Sequence, residues 1–187
     1  MAVKLADVVE EMKAVIMAGP EYRSWERSDR ILGLAAEFLL KALARDEQTG
    51  LVAILMLMPE FNQLTFAYPP HLAQGNALPV DQESFAGRVL LRQEVLIENN
   101  VPDEPHKDFF ERIPDASGKI RPIQKMIAAP LLTSDRAAIG VVEVSRTGSS
   151  PAVAGPDFTP RDAENLGKCC KVFAQFIAKT WTRERGY

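Results

Sequence analysis

Glu143 stands alone among apolar neighbours in the stretch GVVEVS, residues 140 to 145. A carboxylate on so apolar a strand must meet a partner, water or a ligand, because burying an uncompensated charge is costly. It can anchor a cationic or hydroxyl-bearing ligand, pair with Arg146, or sit on an exposed strand face, and the residues alone leave all three open. A second polar group stands in NNVPDEPHKDFFERIPD, where Asp103, Glu104, His106, Asp108 and Glu111 could be imagined as metal ligands. Prolines at 102, 105 and 114 and the density of charge read instead as a solvated loop, so no metal is expected. His71 follows YPP with no acid or nucleophile placed to use it, which suits a turn or surface role. Cys169 and Cys170 are adjacent on a predicted helix, where successive side chains point about 100° apart and a mutual disulfide is strained. With no CxxC and no nearby His, they read as small buried hydrophobes rather than zinc ligands. No GxSxG, HExxH or phosphate-cradling glycine loop is present, so neither a catalytic residue nor a cofactor is expected.

The 187 residues suit one domain with an appended helix, and 47% hydrophobic content is that of an ordinary folded chain. A net charge of −3, with 22 basic residues scattered among 25 acidic ones, supplies no basic field for a phosphate backbone, so nucleic acid is not an expected partner. No apolar stretch reaches the roughly 18 to 20 residues that span a bilayer, and MAVKLADVVEEMK carries acids where a signal peptide needs an apolar run. No membrane association is expected, and the expected location is the cytoplasm.

The elements that must position these residues follow from periodicity. ADVVEEMKAVIMA places Val8, Met12, Val15 and Ile16 on one side of a first helix that the GP at 19 and 20 breaks. RILGLAAEFLLKALARD repeats apolar residues at Ile31, Leu34, Ala35, Phe38, Leu39, Ala42 and Leu43, a stripe that needs a partner surface. The segment from 51 to 68 reads as a β-hairpin turning near Pro59 to Gln63, and EVLIENN as a weaker strand. A short helix is predicted within 81–93, with Phe85, Val89 and Leu90 on one side and Gly87 weakening it. KMIAAPLLT and AAIGVVEVSR make a second hairpin around Ser134, Asp135 and Arg136. Thr159 can cap a last helix with Pro160 at its first position and Asp162 three residues after the cap. The fold class is therefore α+β: an antiparallel sheet with the N- and C-terminal helices on one face and a loop and short-helix segment covering the other.

In this order and spacing the segments resemble the GAF domain, a small cytoplasmic sensor module. The likeness covers roughly residues 28 to 182: the first hairpin, FAGRVL, EVLIENN, IQKMIAAPLLTSDRAAIGVVEVSR and FTPRDAENL. The fourth of these stretches, IQKMIAAPLLTSDRAAIGVVEVSR, looks like the family's core pattern of an apolar strand ending in Pro-Leu, a turn, and a strand opening with Ile-Gly-Val. The implied organisation is an N-terminal helical extension, 1–27, and a GAF-like domain, 28–187. Cyclic-nucleotide-binding members carry Asn-Lys, then a Phe, then three residues and Asp-Glu, and the corresponding positions here are Ser145, Arg146, Phe158, Asp162 and Ala163. Phe and Asp match, Arg replaces Lys, and Asn and Glu are lost, so that ligand is not carried over. Arg146 and Asp162 can form a structural clasp with Phe158 across the irregular loop by a charge-assisted hydrogen bond. Asp162 can equally cap its own helix.

In GAF domains the ligand lies between the sheet face away from the terminal helices and the segment joining the middle strands, here about residues 80 to 125. That implies Phe66, Tyr68, Met126, Ala128 and Glu143 as lining candidates from the strands, with Phe85, Phe109 and Phe110 from the covering segment. The same aromatics can instead fill a closed core. Free methionine-R-sulfoxide reductase is itself a stand-alone GAF protein, but its chemistry depends on thiolates beside the pocket, and no Cys precedes residue 169. The resemblance thus implies a non-enzymatic signal-transduction module that binds an unknown small molecule and passes its occupancy to an unknown downstream signalling protein. It also implies a homodimer through the terminal helices, with Cys169, Val172 and Phe176 as a second face on the last one. The alternative is a ligand-free dimerisation or scaffold module with a closed pocket.

Overall fold

The computed structural model describes residues 4–18, 23–44, 49–72, 77–103 and 122–181. Helix α1 (Leu5–Met17) buries Val8 and Met12, one helical turn apart. Helix α2 (Ser24–Leu39) opens with the Arg23 backbone N–H donating to Glu26 Oε2 at 2.9 Å. It buries Ile31, Leu34, Ala35, Phe38 and Leu39, the stripe its period predicts, and runs on through Leu40–Ala44 as a wider π-type turn. Because α2 opens at Ser24, the boundary anticipated between residues 27 and 28 falls inside its first turns.

Strand β1 (Gly50–Met58) and strand β2 (Gln63–Tyr68) form the first hairpin, joined by a 3₁₀ turn at Pro59–Phe61. Asn62 sits at φ 50°, a left-handed position that Asn tolerates better than most residues. Strand β3 (Ala77–Pro79) adds a three-residue edge to β2 that periodicity does not reveal. Helix α3 (Phe85–Arg92) and strand β4 (Leu96–Glu98) follow, then the long hairpin of strands β5 (Ile123–Leu132) and β6 (Ala138–Thr147). Helix α4 (Pro160–Thr180) closes the described chain. Thr159 caps it: its hydroxyl accepts from the Asp162 N–H at 3.2 Å, and Asp162 Oδ2 accepts from the Thr159 N–H at 2.8 Å.

The strands form one antiparallel sheet in the order β3, β2, β1, β6, β5, β4. The sequence-neighbour hairpins flank a central β1–β6 pair, so the last strand of the chain pairs with the first. Gly140 is required at that pairing, since a Cβ there would lie 2.2 Å from the Leu55 carbonyl oxygen. Alternation along each strand separates two apolar cores. On one face Val52, Ile54, Met56, Ile127, Ala129, Val142 and Val144 pack with α1, α2 and α4. Phe38 of α2 meets Phe173 of α4 edge to face, 6.0 Å between centroids. On the other face Leu55, Phe66, Met126, Ala128 and Val141 pack with Phe85, Ala86, Val89 and Leu90 of α3. This is the α+β arrangement expected from the sequence.

In the helical layer Cys169 is buried, while Val172 and Phe176 are half-buried against the same core. Among the described residues no helix is long and apolar enough to cross a membrane.

Candidate functional site

The face under α3 is where a charged group is out of place. Val141 belongs to the α3-side core while Val142 and Val144 belong to the opposite one, so alternation sends Glu143 and Ser145 to the α3 side with Val141. Register fixes the neighbours of Glu143: Ala53 of β1 on one side and Ala128 of β5 on the other. Two alanines flank the carboxyl, so neither adjacent strand fills the room beside it. Glu143 is 1% exposed, and its Oε1 has no hydrogen-bond partner among the described residues. With nothing described to stabilise the anion, burial pushes this acid up to about 8, and it is protonated at neutral pH.

The surroundings grade from closed to accessible. Towards α3 the face is sealed by Phe66, Phe85, Met126 and Ala128, each buried. Towards the start of β1 it opens, because β2 pairs with β1 only from Ile54 onward. There Ala53 is half-buried and Leu51, the cross-strand partner of Ser145, is 39% exposed. The position of α3 depends on Gly87: its N–H donates to the Ser84 cap at 3.0 Å, and a Cβ there would lie 2.3 Å from the Asp81 carbonyl oxygen. The glycine that weakens the helix as a sequence signal is what lets the preceding loop close onto it.

Of the residues expected to line this face, Phe66, Phe85, Met126, Ala128 and Glu143 do share it. Tyr68 does not. The register between β1 and β2 shifts after Ile54, so that Phe66 faces Leu55 while Tyr68 faces Ile54. This bulge carries Tyr68 to the helical side, where burial and the nearby Glu37 push its phenol up. Phe109 and Phe110 lie outside the described residues. Ser145 and Ala53 also belong here; the alternation in GVVEVS could have found the first, whereas the second needs the strand register.

The join from β6 to α4 is held from the helical side. Arg146 is 1% exposed; its Nη2 donates to the Leu43 carbonyl at 2.6 Å and its Nη1 to the Pro156 carbonyl. Its guanidinium lies over the Phe158 ring. Lys125 Nζ donates to the Gly155 carbonyl at 2.7 Å and forms an ion pair with Asp157 at 2.6 Å. Asn99 completes the join from the other end of the sheet, exchanging hydrogen bonds of 3.0 and 2.8 Å with the carbonyl and N–H of Phe158. Arg146 thus meets Phe158, but its described hydrogen bonds go to the Leu43 and Pro156 carbonyls, and Asp162 serves in the capping box of α4 with Thr159.

No thiol stands on the α3 side. Cys169 and Cys170 pack in the helical core, where burial pushes the Cys169 thiol up to about 11 and raises Cys170 further still. Among the described residues no cluster of His, Cys, Asp and Glu could hold a metal.

A six-stranded antiparallel sheet in this order, with terminal helices behind and a short helix in front, is the fold of a GAF domain. The GAF domain of a phosphoenolpyruvate-protein phosphotransferase from Coxiella burnetii superposes with a TM-score of 0.64 at 12% identity, covering 95% of each chain. A methyl-accepting chemotaxis protein fragment, residues 122 to 287, gives 0.64 at 17% identity over 92% of this chain and 96% of its own. Free methionine-R-sulfoxide reductase from Neisseria meningitidis, in complex with its substrate, gives 0.57 at 17% identity over 94% of this chain and 89% of its own. No family model matches the sequence. No curated protein matches it either.

Proposed function

We propose that this chain is a non-enzymatic, small-molecule-binding sensor module of the GAF type. In this reading the ligand occupies the α3 side of the sheet, and its presence is passed to a partner protein. The observation that carries the reading is Glu143: a carboxyl placed at the centre of an apolar face, without a described partner for Oε1, is a costly choice for a core that only had to be filled. The fold shared with a domain of a phosphotransferase and with a chemotaxis protein supports a signalling role. The reductase relative shows that a chain of this fold can be an enzyme, but reductase chemistry needs a reactive thiolate, and both cysteines lie buried on the opposite face. The terminal helices would carry the homodimer contact, for which the exposed apolar side chains of Met17 and Trp25 are candidates.

The test is thermal stabilisation across a panel of metabolites, with native mass spectrometry of freshly purified protein reporting subunit count and any retained compound. A ligand at a hundred times its dissociation constant adds about 2.7 kcal/mol to the folded state. Stabilisation that disappears in Glu143→Leu supports the reading. A dimer that no compound stabilises favours the scaffold alternative.

A further inference from the structure

Glu143 places an acid where the fold supplies no described cation to meet it. The strands beside it contribute no basic group to this face: β1 and β2 contain none, and Lys125 and Arg146 point into the join on the helical side. On elements packed against the face, the described charged groups are Arg88 of α3, whose guanidinium lies 5.4 Å from the Phe85 ring centroid, the exposed Arg92 at the end of α3, and Glu98 of β4. Glu98 Oε1 accepts from the Asn100 N–H at 2.6 Å. The polar atoms nearest Glu143 along its own strand belong to Ser145, two residues on and therefore about 7 Å away.

We propose that the ligand of this face carries a protonated amine, and that its ammonium group sits against Glu143 with the Ser145 hydroxyl beside it. The inference rests on the ligand-site reading above and adds the chemical class. An ammonium offers three donors and no acceptor, and this part of the face offers acceptors. The head group would lie against Glu143, where the neighbouring strands present only the methyl groups of Ala53 and Ala128, and the approach would lie along Leu51 and Ala53, the less buried end of this face. An anionic head group beside Glu143 would meet a carboxyl, and the flanking strands turn no basic side chain to this face. A hydroxyl would leave the ionised form of the acid unused, although charge-assisted hydrogen bonds are roughly twice as strong as neutral ones.

Free Glu143 holds a proton; the ammonium keeps its own; on binding, the Glu143 O–H bond breaks, the proton goes to solvent, and a carboxylate–ammonium pair forms. Binding therefore releases one proton, and affinity must rise with pH until Glu143 is ionised in the free protein. A neutral ligand hydrogen-bonded to the protonated acid gives the opposite trend, flat in acid and weaker as the acid ionises.

The experiment is calorimetry on the full chain with butylamine and phenethylamine against butanol and 2-phenylethanol, in buffers of different ionisation enthalpy. The expected result is binding of the amines alone, tightening about tenfold from about pH 6 to about pH 7, with one proton released. Glu143→Gln should abolish this pH dependence. Its retention of the wild-type melting profile in acid, where both side chains are neutral, shows that it folds. Binding of the alcohols without the amines, or amine affinity that falls with pH, overturns the amine assignment and leaves the ligand site standing. If neither set nor any compound of the metabolite panel binds, the ligand-site reading fails and the amine assignment fails with it.

Discussion

The guanidinium of Arg146 lies 4.0 Å from the centroid of the Phe158 ring. The same side chain reaches the Leu43 carbonyl, so one residue at the end of β6 holds the end of the α2 segment and the entry to α4 together. Only a planar fork can stack on a ring and donate to two carbonyls at once. Arg146→Lys should therefore cost about 1 to 3 kcal/mol, read as a lowered urea midpoint with an unchanged slope. A midpoint equal to the wild type would show that the stack and the fork contribute nothing.

Asn99 makes a second, independent tie to Phe158, with its amide serving as donor to the carbonyl and acceptor from the N–H. Asn99→Ala leaves both backbone groups without these bonds and should destabilise by about 1 to 3 kcal/mol. Asn99→Asp keeps the acceptor but sets an anion against a carbonyl, so it should recover little of the loss. Urea unfolding of the pair decides it: full recovery by Asp would mean that only the bond from the Phe158 N–H matters.

These two ties also mark the limit of what the sequence discloses. The cap at Thr159 is legible because its partner, Asp162, lies within one helical turn, and the stripes of α2 and α4 because 3.6-residue periodicity is local. The lining residues Phe66, Met126, Ala128 and Glu143 follow from two-residue alternation once each strand is recognised. Tyr68 is misplaced by the same logic because a bulge beside it depends on how β1 pairs, and pairing is not local. Asn99 and Phe158 are 59 residues apart and carry no mutual signal. β3 spans three residues, too few for alternation to register. That Glu143 lies between two alanines, which is the basis of the candidate site, requires the register of three strands.

The cysteines give a chemical check on the non-enzymatic reading. With Cys169 pushed up to about 11 and Cys170 higher still, the thiolate fraction in mild base is small, and both groups are shielded. Alkylation by iodoacetamide at about pH 8 should run at least about 100-fold slower in the native protein than in urea. Rapid native labelling of either thiol would reopen thiol chemistry for this chain.

Glu143 also sets a direction for stability against pH. Its folded value, about 8, lies above the ordinary 4.5, so the folded state binds the extra proton between those limits. Stability is complete on the acid side and falls as pH rises through this window, in total by on the order of 5 kcal/mol. Glu143→Gln cannot ionise, so its melting temperature should overtake that of the wild type as pH increases from about 5 to about 8. Parallel curves for the two proteins would mean that Glu143 is ionised in the folded state.

The most direct measurement is a carbon-13 NMR titration of the glutamate carboxyl carbons in the free protein, with Glu143→Gln identifying the resonance of interest. The account predicts that this one carboxyl titrates with a midpoint near 8, held there by burial between Ala53 and Ala128. A midpoint at the ordinary value of 4.5 would contradict it, because the carboxyl would then already have the partner or the water that the account reserves for a ligand.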